Sequence, residues 1–333
     1  MSAASPSRPT RLTRRVFPLA AIALAVAARA ALAQGTYPDK PITLVVPNAA
    51  GGAADNLARS FAEEMSRRLR QSVVVENQGG ASGAIAAQKV LRAAPDGSTL
   101  LFGTTSDVVI NPIVTRSAGY AARDFTAIAK VGVTPMTLVA RPNLGVSTPD
   151  QLVAMAKQKP NGLSVGTTGS ASLQAFATVA VQKAGGIDLL GVPYKGGAPI
   201  VTDLLGGTLD LAVITLPGAL AQVRAGKMNM VGLLSDKRNA AAPDLPTINE
   251  GRAIKGVSVE IWAGLLGPAG LPPAVVERLS RVSQDILGDK DYNERRAKSG
   301  DGAVPWQSAA EFGQFLRAED DRYRALATGM KFE

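Results

Sequence analysis

No cysteine and no histidine occur among the 333 residues. The first absence removes disulfides, thiol nucleophiles, thiolate-held zinc and a cysteine-anchored lipoprotein. The second removes imidazole metal sites and every triad that uses a histidine base. Oxygen-ligand metals stay compatible with the composition, but no acidic loop has calcium-binding spacing. Neither a metal nor a cofactor is expected. Aromatics are few, at 5%, and no tract is of low complexity. No repeat of fixed period is visible, which argues against a solenoid or propeller. No apolar run reaches the ~20 residues that span a bilayer. The chain is otherwise globular in composition, 46% hydrophobic and 19% charged, and long enough for two domains. Its 34 glycines announce loops of unusual backbone geometry.

A net charge of +9 points at first to nucleic acid. Its distribution removes that reading, because Arg8, Arg11, Arg14, Arg15 and Arg29 lie in a leading segment without acids. In the remainder, basic residues sit among acids, as in Glu63, Glu64, Arg67, Arg68 and Arg70. No basic stripe interleaved with aromatics is present, so a solvated face is expected and no nucleic-acid partner.

The leading segment has its own order. Residues 8–15 are basic, 16–28 are apolar, and Ala31-Leu32-Ala33 offers small residues to a signal peptidase. That order is a secretory signal over residues 1–33, with cleavage before Gln34 and delivery to the periplasm. Thr13-Arg14-Arg15-Val16-Phe17 also fits a twin-arginine signal. An ordinary charged n-region with two adjacent arginines fits equally well.

From residue 42 onward, short apolar runs alternate with helical patterns. The runs at 42–46, 72–76, 99–102, 163–165, 188–193, 209–214 and 228–234 read as strands. Segments 54–69, 83–93, 148–157, 172–183 and 200–205 read as helices, the first with Leu57, Phe61, Met65 and Leu69 on one face. Thr148 or Ser147 is a candidate N-cap. Strands alternating with helices imply parallel βαβ units. The pattern restarts after Arg141-Pro142 and ends in helices at 272–287, 289–299 and 308–326. Two α/β units are expected, with a helical tail packed on one of them.

Glycine and small hydroxyl residues gather where strands lead into helices. The runs are Pro47-Asn48-Ala49-Ala50-Gly51-Gly52, Asn77-Gln78-Gly79-Gly80-Ala81-Ser82-Gly83, Gly103-Thr104-Thr105-Ser106 and Gly166-Thr167-Thr168-Gly169-Ser170-Ala171-Ser172. Ligands of parallel α/β sheets collect at such strand ends, and backbone N–H groups at helix starts suit an anion. Tight turns need glycine in any case, but four such loops without a nearby base favour recognition over chemistry. Gly162-Leu163-Ser164-Val165-Gly166 matches the nucleophile-elbow pattern, yet no histidine exists to serve Ser164. No loop has P-loop or dinucleotide-binding spacing. Lys195 is conceivable as a nucleophile, and a solvated or salt-bridged ammonium is its plainer role.

The same loops carry a resemblance. Tyr37-Pro38-Asp39-Lys40-Pro41, Val46-Pro47-Asn48-Ala49-Ala50-Gly51-Gly52, Ala94-Pro95-Asp96-Gly97 and Val192-Pro193-Tyr194-Lys195-Gly196-Gly197 resemble the Bug family. This family, also called TctC-like, comprises extracytoplasmic solute receptors of tripartite tricarboxylate transporters. Thr202-Asp203-Leu204-Leu205-Gly206-Gly207, Arg224-Ala225-Gly226-Lys227, Trp262-Ala263-Gly264-Leu265 and Pro268-Ala269-Gly270-Leu271-Pro272 extend the resemblance over residues 36–330. It implies an α/β, two-lobed type II periplasmic-binding (Venus flytrap) fold. One lobe would comprise residues 34–137 plus 257–333, the other 138–256.

The resemblance further implies a monomeric, non-enzymatic protein that captures a small carboxylate between its lobes for membrane permease subunits. A receptor feeding a signalling partner is the alternative, and a small hydrolase a more distant one. Carried onto this chain, the implied ligand-binding positions are Asn48, Gly51, Gly52, Asp55, Gly80, Ser82, Thr104, Thr105, Ser106, Thr168, Gly169, Ser170, Ser172 and Tyr194. Asp55 either accepts a ligand hydrogen bond or caps its helix. The chain departs from the family pattern at Asn48, where an aromatic is usual, at Ala175 in place of a histidine, and at Ile214-Thr215 in place of an acidic or amide pair. A monocarboxylate or aromatic acid would suit that less charged wall.

Overall fold

The computed structural model describes residues 37–330 and 332, save 49, 52, 170, 195–196, 240–241 and 299–303. The expected export signal, Gly52, Ser170 and Lys195 therefore lie outside the described residues. Contacts divide the chain after Asp39. The short leading unit contributes a cis Tyr37–Pro38 bond, and everything below concerns the unit from Lys40 onward.

Strand β1 (Ile42–Val46) is a β-branched, almost wholly buried run, as a central parallel strand must be. Helix α1 (Ala53–Leu69) leads to β2 (Val73–Asn77), and α2 (Ala84–Leu91) leads to β3 (Thr99–Thr104). Both β2 and β3 pair with β1 in parallel. Helix α1 buries Ala58, Phe61, Met65 and Leu69 on the face turned inward, while Leu57 stays half-buried. After β3 the chain forms a π-helical turn at Thr105–Ile110 and the short α3 (Asn111–Val114).

Next comes β4 (Thr126–Ala140), a strand of 15 residues. Its first part, to Pro135, lies antiparallel to β9; its last part, Met136 to Ala140, lies antiparallel to β7 and β8. The change of partners falls at Pro135, which has no N–H to offer a ladder. Helix α4 (Pro149–Gln158) is capped by Thr148, whose hydroxyl accepts from the Gln151 N–H at 3.2 Å. Then follow β5 (Ser164–Thr167), α5 (Leu173–Gly185), β6 (Leu190–Pro193), α6 (Gly197–Gly206), β7 (Leu211–Thr215), α7 (Leu216–Arg224) and β8 (Asn229–Leu233). Strand β9 (Glu260–Gly267) returns the chain to the first group of strands, and α8 (Pro273–Leu287), α9 (Lys290–Lys298) and α10 (Ala309–Ala327) close it. Strand order is β2-β1-β3-β9-β4-β7-β5-β6, with β8 on β4.

Three expectations need correction. The sheet is mixed, because β4 and β9 run antiparallel to their neighbours. Neither strand is legible as one: β4 contains Lys130, Gly132 and Pro135, and two irregularities in its register break the period of two. The tail packs on both halves. Helix α10 lies on β4 and also on α5, where the Phe176 and Tyr323 rings meet edge to face at 5.5 Å and Lys183 Nζ donates to the Ala325 carbonyl at 3.1 Å. Trp262 and Phe312, at 5.7 Å, anchor the same helix to β9. Burial of side chains this large contributes about 3 kcal/mol each.

Candidate functional site

The loops after β1, β2 and β3 are held by two buried carboxylates. Gly51, at φ +84°, donates its N–H to Asp55 Oδ2 at 2.8 Å. The same oxygen accepts from Arg59 Nε at 3.0 Å, and Oδ1 accepts from Asn77 Nδ2 at 2.8 Å. Asn77 Nδ2 also reaches the carbonyl of exposed Asn48, at 3.2 Å. The Arg59 hydrogen bond, with those from Gly51 and Asn77, holds the Asp55 carboxyl at a pKa of about 2 despite its burial. Asp55 thus ties the loop to the start of α1 and to β2 with both oxygens.

Asp107 does the corresponding work after β3. Its Oδ1 accepts from the Thr104 N–H at 2.8 Å and from the Thr104 hydroxyl, while Oδ2 is buried with no hydrogen-bond partner. Burial dominates over those bonds and pushes the carboxyl up to about 6. The loop after β2 presses against it. Gly83 sits at φ +92°, and a Cβ there would lie 2.5 Å from the Asp107 Cβ. Gly80 and Ser82 also have positive φ, +116° and +52°. Asn111, itself buried, donates to the Ala81 carbonyl at 3.1 Å and to the Tyr120 hydroxyl at 3.3 Å. Thr105 is fully buried: its hydroxyl donates to the Glu260 carbonyl at 3.2 Å and accepts from the Trp262 N–H at 2.9 Å.

The loop after β5 is held by neutral groups. Ser172 caps α5 by accepting from the Ala175 N–H at 3.2 Å, and its hydroxyl donates to the Gly169 carbonyl at 2.7 Å. Thr168 donates to Gln174 Oε1 at 3.1 Å. Tyr194 is half-buried and donates to Asp203 Oδ2 at 2.8 Å.

Between these two sets of loops lies a cleft of about 430 Å³. It brings together Ser82, Ser106, Thr168, Gly169 and Ser172 of the expected positions, and adds Asn111, Thr115 and Gln174. Ile110, Val114 and Leu173 supply apolar wall. Among its described lining residues none is titratable, so the polar part consists of hydroxyls and amides. Asn48, Gly51, Asp55, Gly80, Thr105 and Tyr194 are absent from its lining, and Thr104 faces a different cavity. Asn111 was missed because an asparagine before Pro112 reads as a helix start. Its Oδ1 is buried without a hydrogen-bond partner.

Ser164, of the elbow-like motif, is held in a cluster that links two strands. The Ser164 hydroxyl donates to Asp210 Oδ2 and accepts from the Asp210 N–H, both at 3.0 Å, and Arg141 Nε binds the same carboxylate at 2.9 Å. That cluster joins β5 to the start of β7. Among the described residues no group of three or more acidic side chains could hold a metal, and no helix is long and apolar enough to cross a membrane.

Known proteins resemble the chain over most of its length. A UPF0065 protein of Agrobacterium vitis is 34% identical over 294 residues, 88% of this chain and 85% of its own. BugT of Bordetella pertussis is 31% identical over 272 residues, 81% of this chain and 82% of its own. A TctC solute-binding protein from Polaromonas superposes with a TM-score of 0.80 at 27% identity, covering 89% of this chain and 100% of its own. Rpa4515 of R. palustris, solved with adipate, gives 0.72 at 30% identity over 88% of this chain and 97% of its own. MatC of Rhodopseudomonas palustris, with bound malate, gives 0.70 at 27% identity over 87% and 99%. The family profile described as Tripartite tricarboxylate transporter family receptor matches residues 57–330. The chain has the two-lobed periplasmic-binding fold and belongs to this receptor family, the solute-binding proteins also called Bug or TctC-like.

Proposed function

We propose that the chain is a periplasmic receptor that captures a small carboxylate in the neutral cleft and passes it to membrane permease subunits, with no chemistry of its own. The observation that carries this reading is the cleft lining. Hydroxyls and amides from both loop sets converge there, at the start of α5, and none of the described lining residues is titratable. Neutral donors at a helix start favour an anion and avoid the desolvation cost of a buried lysine. Relatives that hold adipate and malate support the class of ligand.

Ser82, Ser106, Asn111, Thr168, Gly169 and Ser172 are assigned to the ligand. Asp55, Thr104 and Thr105 shape the loops behind them. The lobes are residues 34–137 with 257–333, and 138–256, closing about β4 and the return into β9. Ligand then selects the closed population, which presents a joint surface to the permease. The receptor acts as a monomer, exported by a signal over residues 1–33 that is removed before Gln34.

Thermal unfolding against adipate, malate, benzoate and glucose tests the reading. A ligand at 100 times its dissociation constant adds about 2.7 kcal/mol, which raises the midpoint by roughly 5 °C. A shift with a carboxylate, lost in Ser106→Ala/Ser172→Ala, is the expected result. A shift with glucose alone, or turnover of any compound in the panel, overturns it.

A further inference from the structure

A second cavity, of about 380 Å³, lies where α1 and α9 meet the strands β4 and β9. Thr104 at the end of β3, with Thr215 and Pro217 at the β7–α7 junction, is also in its wall, and the cavity shares no lining residue with the neutral cleft. Its size falls in the range of small-molecule pockets, roughly 300–1,000 Å³. Arg296 of α9 lines it. This side chain is only 4% exposed, yet none of its three guanidinium nitrogens has a hydrogen-bond partner. The centroid of the Tyr292 ring lies 5.8 Å from the guanidinium carbon. A buried, unpaired cation is strongly unfavourable unless an anion joins it.

The surrounding charges do not supply that anion. Arg295, beside it, binds Glu64 Oε1 at 2.8 Å. Glu64 also takes Arg67 and Arg68, and Arg68 reaches Asp289 Oδ2 at 2.8 Å. Three guanidinium groups therefore occupy these two carboxylates, and neither is paired with Arg296. The remaining wall is mixed: Asn56, Ser60 and Thr215 are polar, while Leu57, Ile261 and Ala263 are apolar.

We infer that this cavity is a second binding site, for an organic monocarboxylate whose carboxylate pairs with Arg296 and whose apolar body lies against Leu57 and Ile261. The planar guanidinium fork matches a carboxylate with two parallel hydrogen bonds. Inorganic anions would satisfy the charge but leave the apolar wall uncovered. The site stands apart from the neutral cleft, so failure of the reading given above leaves it intact.

The test uses 4-fluorobenzoate, followed by ¹⁹F NMR and calorimetry on the purified protein. Binding to the parent chain should weaken at least tenfold in Arg296→Gln, weaken less in Arg296→Lys, and stay unchanged in Ser106→Ala/Ser172→Ala. Adipate bound in the neutral cleft should leave the 4-fluorobenzoate affinity unchanged. Without ligand, Arg296→Gln should melt no lower than the parent, because an uncompensated buried charge has been removed. No binding to the parent, equal affinity in Arg296→Gln, or loss of binding only in the serine variant overturns the proposal. A ligand-free Arg296→Gln that melts well below the parent does so too, since Arg296 would then be a structural group.

Discussion

The two sides of the neutral cleft are built by different chemistry. On the side of β1 and β3, the loops close around buried carboxylates: Asp55 gathers Gly51, Arg59 and Asn77, and Asp107 gathers Thr104. On the side of β5, the loop closes around hydroxyls and an amide, through Ser172, Thr168 and Gln174. Charge-assisted bonds are roughly twice as strong as neutral ones. The first side is thus a preformed wall, and the second can adjust at smaller cost. In the proposed capture, a ligand would meet the rigid face first, and closure of the adaptable face would set the final fit. Selectivity among carboxylates should reside on the second side.

That contrast can be broken by mutation. The largest effect expected is from Asp55→Ala, which leaves the Gly51 and Asn77 donors without their acceptor. It should lower stability by about 2–3 kcal/mol, measured by denaturant unfolding at neutral pH. A cost no greater than that of Ser172→Ala would erase the distinction between the sides.

Asp107→Asn should change the pH profile by roughly 2 kcal/mol. The folded carboxyl titrates near 6, above its ordinary range, so the native state holds the proton more tightly than the unfolded chain. Stability from this group is fully present below about pH 4 and is lost as pH rises through about 6. The asparagine keeps an oxygen for the Thr104 N–H and does not titrate. The difference between variant and parent should therefore grow in the variant's favour from pH 4 to 7. A pH-independent difference would mean that Asp107 is ionised in the folded state throughout.

Ser172→Ala should have the smallest effect on stability, about 1 kcal/mol for the lost helix cap. Its effect on carboxylate affinity should exceed that figure, because Ser172 lines the cleft and its hydroxyl holds the Gly169 loop in place. Affinity equal to the parent's would remove Ser172 from the site.

How far the sequence was legible follows from the same physics. Strands β1, β2 and β3, with α1 and α2, were readable because buried apolar runs and a period of four residues survive intact. Strands β4 and β9 were not, since Gly132, Pro135 and register irregularities in one, and Gly264 in the other, interrupt any alternation. The glycine and hydroxyl loops drew in Ser82, Ser106, Thr168, Gly169 and Ser172, which line the cleft. They also drew in Thr105, whose hydroxyl turns inward to β9. Arg296 was invisible because it sits in Lys290–Lys298, a helix so charged that it reads as a solvated surface. Only packing shows which of its arginines is enclosed.

Strand β9 lies between β3 and β4, although its residues come more than a hundred positions after either. Until residue 267 has been made, β3 has an unpaired edge along its backbone, and the first group of strands is open in the middle. A nascent chain therefore cannot complete the first group in order of synthesis, whereas the strands of the second, β5 to β8 with the end of β4, are all made by residue 233. Its earliest strands wait for some of its latest, a long-range closure that slows folding and favours a chain that finishes all at once.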